Sequence, residues 1–170
     1  YVKDISRVWS LRKAGLGVLS GMPGSAKPVS VIEDTAVAPQ RLPAYIADMK
    51  KMLDGYGLSC VYHAHISTGE LHLRPVLNLK EEKDRKLFRT VATKTAELVK
   101  KHRGSLSGEH GDGRLRGEFI PLLLGDKVYS LLKEVKEIWD SPHIFNMGKI
   151  VDTPPMDANL RYEQWDLGMD

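Results

Sequence analysis

One cysteine, Cys60, stands in 170 residues. A single thiol closes no internal disulfide, completes no CxxC metal motif and cannot hold an iron–sulfur cluster. It lies within an apolar run and reads as a buried core residue. Long apolar runs are missing too: none could span a bilayer, and none has the form of a secretory signal. Aromatic residues are scarce, at 7%. Charge of neither sign dominates, because 25 Lys and Arg face 22 Asp and Glu for a formal net charge of +3. The basic residues are scattered, which argues against a nucleic-acid partner and against a polybasic membrane patch. A mildly positive protein still suits a small anionic substrate. The chain opens on Tyr-Val-Lys-Asp without an initiator Met, so the expectation is an excised piece of a longer protein.

What is present is globular. Hydrophobic residues make up 42% and charged residues 28%, and the length fits one domain, taken as 1–170, with a real core. Residues 5–19 read as a helix with Val8, Leu11 and Val18 on its apolar side, weakened by Gly15 and Gly17. A Gly/Ser/Pro loop leads to VSVIEDTAV (29–37), which has the β-branched alternation of a strand. Leu42, Ile46, Met49, Leu53 and Tyr56 then recur at helical spacing across 41–56. Strands are predicted in LSCVYHAHI and ELHLRPVLNL, a long helix from Asp84 to His102, and a short fourth strand at 105–107. A further helix covers 126–139, and an irregular tail follows. The order β-α-β-β-α-β predicts an α+β ferredoxin-like sandwich with an N-terminal helix and an extra C-terminal helix. That fold decides little about function.

Three places could carry chemistry. HAHISTGELHLRP (63–75) concentrates three histidines, a glutamate and an arginine. Residues two apart on a strand share a face, so His63 pairs with His65 and His72 with Arg74, with a turn at Ser67-Thr68-Gly69 between them. Two imidazoles and a carboxylate could hold a transition metal; equally, the segment could be an edge hairpin with a polar wet face. GSLSGEHGDGRLRG (104–117) sets Glu109 and His110 among glycines that permit sharp turns and close approach. It offers a metal ligand beside a general base, or an ordinary charged loop. Arg12 and Lys27 could clamp a carboxylate, or be solvated surface charges.

Taken together, WSLRKAGLG, AKPVSVIEDTAV, HAHISTGELHLRP, SGEHGDGRLRGEF and FNMGKI occur in the order found in FAD-linked oxidases. Nearly the whole chain resembles the C-terminal, substrate-side domain of that family of D-lactate, glycolate and D-2-hydroxyglutarate dehydrogenases, and above all bacterial forms that also carry an iron–sulfur domain. The resemblance implies a flavin-dependent oxidoreductase that oxidises a 2-hydroxy acid to a 2-oxo acid, passing hydride to FAD with help from a divalent metal, zinc or iron. It implies that His65, His72 and Glu109 are the metal ligands, that His110 takes the substrate's hydroxyl proton, and that Arg12 and Lys27 hold its carboxylates. Arg74 stands where several relatives have asparagine, and a carboxylate contact there is our inference. Asn146 and Lys149 are candidate flavin-side contacts. The expected partners are a small anionic 2-hydroxy acid, the FAD-binding domain of the same parent chain and an electron acceptor that the sequence does not name. The expected location is cytoplasmic, or peripheral to the inner membrane in the parent protein.

The departures from the family pattern matter. ISTGEL replaces an aspartate-containing turn, Leu16 replaces a substrate-touching threonine, and Met147 replaces a proline. His63 matches no ligand and reads as a shell or surface residue. No glycine-rich FAD pyrophosphate segment appears. The iron–sulfur cluster and the main FAD site are therefore expected only in the parent protein, and the isolated domain is expected to be inactive. The rival reading is a ferredoxin-like small-molecule sensor or regulatory module without catalysis. An RNA reader is disfavoured, because LHLRPVL offers no aromatic for stacking and VYHAHI offers only Tyr62.

Overall fold

The computed structural model describes residues 2–160. Tyr1 and residues 161–170, the end of the predicted tail, lie outside the described residues, as do the side chains of Val2, Lys3, Leu16 and Ser20. Five α-helices and four strands follow in the order α1 (Val2–Ser20), β1 (Lys27–Pro28), β2 (Ile32–Ala36), α2 (Leu42–Gly55), β3 (Cys60–His65), β4 (Glu70–Leu77), α3 (Glu82–Lys101), α4 (Ile120–Leu124) and α5 (Asp126–Trp139). β4 is the centre of an antiparallel sheet, with β3 along one side and β1 and β2 along the other. The expected fourth ferredoxin strand is reduced to a single bridge, in which Ala36 and Ser105 exchange backbone hydrogen bonds of 2.9 and 2.8 Å. The architecture is α+β, in the ferredoxin-like order.

Local sequence explains the elements that build the core. Met49 and Leu53 on α2, and Val91, Thr95 and Val99 on α3, recur every four residues and are all buried. They cover one face of the sheet, to which β4 contributes Leu71, Leu73 and Leu77. α3 places Glu82 and Asp84 in its first turn and Lys100 and Lys101 in its last, matching the helix dipole. The β3–β4 hairpin forms as the sequence predicts, with His63 opposite His72 and His65 opposite Glu70. Its turn requires glycine: Gly69 has φ +78°, and a Cβ there would overlap the Val37 carbonyl.

β2 departs from simple alternation. Ile32 pairs with Leu73 but Thr35 pairs with Leu71, so three steps on β2 match two on β4. This is a β-bulge. Ile32 joins the core, and Thr35 accepts a 2.9 Å hydrogen bond from the buried Tyr45 hydroxyl. The residues between them, Glu33 and Asp34, are both turned away from the core, which unbroken alternation would forbid.

The apolar side predicted for α1 is present but uncovered, with Val8, Leu11 and Val18 all exposed. The same holds on α5 for Leu131, Val135 and Ile138. No helix among the described residues is long and apolar enough to cross a membrane.

Cys60, half-buried at the start of β3, has its thiol pushed up to about 11 by burial. At pH 8 its thiolate fraction falls about 100-fold below that of a thiol at the ordinary 9.0. Native protein should therefore react with a thiol-specific disulfide reagent about 100-fold more slowly than urea-unfolded protein. The native rate should rise steadily as the pH is brought towards 11.

Candidate active site

The sheet face opposite the core collects the polar residues. Cross-strand pairing puts His63, His65, Glu70, His72 and Arg74 on this one face. The bulged β2 adds Glu33 and Asp34 beside them, and the loop after Ser105 lays Glu109 and His110 over the group. α1 closes one side with Arg12.

Glu109 is the meeting point. Its Oε1 lies 3.3 Å from His110 Nε2, 3.4 Å from His72 Nε2 and 3.7 Å from His65 Nε2. The His72 and His110 rings stack with centroids 5.6 Å apart, and the His65 and His72 rings meet edge-on at 5.1 Å. His72 Nδ1 is engaged with the backbone oxygen of Glu33. A carbonyl can only accept, so Nδ1 carries a proton, and it is Nε2 that faces Glu109.

Two imidazoles and a carboxylate suit a divalent transition metal, and ligand atoms about 3.3–3.5 Å apart are what a tetrahedral zinc site requires. The His72–Glu109 spacing meets that requirement. Two sets of candidate ligand atoms lie within 4.8 Å of one another: His65, Glu70 and Glu109, and Asp34, His72, Glu109 and His110. The two histidines implied by the family resemblance thus converge on the third implied ligand, Glu109, with His65 in one set and His72 in the other. His65 Nε2 also faces Arg12 Nη2 at 3.3 Å, where the guanidinium donates.

The position of Glu109 and His110 is set from below by Asp34. This carboxylate is fully buried. It accepts hydrogen bonds from the backbone N–H groups of Glu109 and His110 at 3.0 Å each, from Ser107 Oγ at 2.5 Å and from Arg116 Nη2 at 3.2 Å. The Asp34 backbone oxygen accepts from Gly108 N at 2.7 Å. Burial would raise the Asp34 pKa, but the bonds from Ser107, Glu109 and His110 outweigh it and hold the carboxyl below its usual range. Neighbouring Glu70 is pushed the other way by burial, by its hydrogen bond with Asp34 and by the charge of Glu109. Gly108 passes close enough that a Cβ would lie 3.0 Å from the Glu70 carboxyl carbon.

Beside this cluster is a cleft of about 190 Å³ lined by Arg12, Leu19, His63, His72, Arg74 and His110. Arg12 also donates to the Ala64 carbonyl at 3.4 Å, and Arg74 pairs with Glu33 at 2.6 Å. His63, expected as a shell or surface residue, lines this cleft. Its pKa is lowered by burial and by the charges of Arg12 and Arg74. Lys27 is not brought here: it lies on β1 opposite Leu77 and donates to the Met22 carbonyl. Asn146 and Lys149 line a separate cleft of about 500 Å³ with Trp139 and Ile150, and Lys149 donates to Asn146 Oδ1 at 3.0 Å.

Glu33, Asp34 and Arg116 were absent from the residues singled out by sequence, and Glu70 entered only as the glutamate of the hairpin segment. The one available signal was the adjacent acid pair in VSVIEDTAV, two like charges in a strand that otherwise alternates. Removing the charge of Asp34 leaves Arg116, itself buried, with only the more distant Asp112 carboxylate, at 4.0 Å, as an ionic partner among the described residues. Asp34→Asn is expected to lower unfolding free energy by about 3 kcal/mol, read from the urea midpoint, and to open the 107–116 loop to proteolysis.

Comparison with known proteins places the chain in a family. Residues 2–150 match the family described as FAD linked oxidases, C-terminal domain. The D-2-hydroxyglutarate dehydrogenase of Pseudomonas putida is 39% identical over 146 residues, which is 86% of this chain and 14% of that protein. Its namesake in Escherichia coli is 35% identical over 156 residues, 92% of this chain and 15% of that protein. A D-lactate dehydrogenase of Archaeoglobus fulgidus is 27% identical over 128 residues, covering 75% and 28%. The chain therefore spans a small part of the length of these relatives. With a match that covers most of its length, it belongs to the C-terminal domain family of the FAD linked oxidases.

Proposed function

We propose that this chain forms the substrate-side wall of the active site in a flavin-dependent dehydrogenase of 2-hydroxy acids. The observation that carries the reading is the convergence of three imidazole Nε2 atoms within 3.3–3.7 Å of Glu109 Oε1, beside a cleft walled by two arginines. The names of relatives, D-2-hydroxyglutarate and D-lactate dehydrogenases, agree with a 2-hydroxy acid as the substrate class.

His65, His72 and Glu109 would hold a divalent metal. When bound, that metal would polarise the substrate's hydroxyl and carboxylate, and FAD from the rest of the parent protein would accept the α-hydrogen as hydride. Arg12 and Arg74 give the cleft a positive wall that attracts and orients the carboxylate. His110 takes the hydroxyl proton; its backbone N–H is tied to Asp34, so its ring starts from a fixed point at the edge of the cleft. Nε2, the ring atom next to Glu109, is the accepting position.

Two outcomes test this. In the parent protein, His72→Ala should lower zinc affinity at least about 100-fold by calorimetric titration and abolish turnover of 2-hydroxy acids with an artificial electron acceptor. Unchanged metal content together with unchanged turnover would refute the reading. The 170-residue chain on its own should form no stoichiometric complex with FAD in equilibrium dialysis; a stoichiometric complex would show that it carries the flavin site itself.

A further inference from the structure

His63 has been given no role, yet its ring faces the same cleft as the proposed base and both arginines. The strand register sets its position. His65 lies opposite Glu70 at the metal-ligand cluster, whereas His63 lies opposite His72, two residues further along β3. Two residues of strand are about 7 Å. His63 therefore shares a cross-strand row with His72, whose Nε2 is 3.4 Å from Glu109 Oε1, and Arg74 lies two residues beyond His72 on β4. The cleft runs from the cluster towards these two side chains.

The ring is half-buried without being used by the protein. The backbone of α1 passes over it closely enough that a Cβ on Gly15 would sit 3.4 Å from His63 Cε1. Among the described residues it makes no hydrogen bond. Its charged surroundings are Arg12 from α1 and Arg74 from β4, with His72 across the strand pair. Arg74 is already balanced by Glu33 at 2.6 Å. Arg12 directs one donor of each Nη to Ala64 O and His65 Nε2, at 3.4 and 3.3 Å. The cleft therefore presents, beside Arg74, an imidazole without a hydrogen-bond partner among the described residues, in a positively charged setting. At about 190 Å³ the cleft is of a size for a small acid.

We propose that His63 determines substrate specificity, its imidazole donating to a second carboxylate that the 2-hydroxy acid carries at the end remote from its hydroxyl. The inference rests on the hydroxy-acid reading above and deepens it. The hydroxyl end of the acid lies against His110 and the Glu109 cluster, and its other end lies against His63 and Arg74. A site built to hydrogen-bond a polar group discriminates strongly against a substrate that lacks it, because its own polar atoms are then left unpaired.

The test compares two substrates in the flavin-containing parent protein: 2-hydroxyglutarate, with a distal carboxylate, and lactate, without one. His63→Ala should reduce the ratio of their kcat/KM values at least about tenfold, with the loss carried by the KM for 2-hydroxyglutarate. His63→Gln, whose amide can donate in the same place, should recover most of that ratio. A thermal melt of each variant separates these effects from loss of fold; should His63→Ala fail to fold, His63→Asn replaces it with the same expected loss, its shorter amide falling short of the substrate. An unchanged ratio, or equal losses on both acids, overturns the proposal while leaving the hydroxy-acid reading intact. Wild-type protein that turns over neither acid nor any other 2-hydroxy acid refutes that reading, and this proposal with it.

Discussion

The candidate site hangs on one buried carboxylate. Asp34 gathers two backbone N–H groups, a serine hydroxyl and an arginine, all from the segment 107–116. Without such donors a buried charge would be expelled or neutralised. With them it fixes a glycine-rich loop that has almost no regular structure of its own. Glycines make that loop able to turn, but they also make it costly to order. The Asp34 bonds offset that cost at Glu109, where the imidazoles meet, and at His110, which lines the cleft. The rest follows from the sheet, which delivers the remaining imidazoles to the same place by strand alternation.

Much of this was legible in the sequence. The helical spacing of α2 and α3 and the two strands of the HAHISTGELHLRP hairpin follow from hydrophobic period, and all four elements form within a few residues of their predicted limits. The replaced turn at 66–69 still closes, because Gly69 supplies the one backbone conformation it needs. The shared face of His65 and His72 follows from register alone. The role of Asp34 could not be read this way. Its partners are 73 to 82 residues away in sequence, and nothing local in IEDT announces them.

Two expectations fell short for a related reason. Period identifies a helix and its apolar side, but not the surface that will cover that side. α1 and α5 have the predicted pattern, yet Leu11, Val18, Val135 and Ile138 remain exposed. Lys27 shows the same limit for charge: a cation placed in the right order along the chain is directed by β1 to Met22 and away from the histidines. His63 errs in the opposite direction. Motif matching passed over it, while plain two-residue alternation already placed it with His65.

The bulge in β2 has a consequence of another kind. Which face a strand residue occupies is a matter of odd and even, and the bulge changes the count between Ile32 and Thr35. It lets one strand obey two incompatible parities, one for the core and one for the site. Deleting a single residue there would restore uniform counting and force a choice between them: either Thr35 leaves Tyr45, or Asp34 leaves its loop. The chain can therefore absorb substitutions along β2 far more easily than a change in its length.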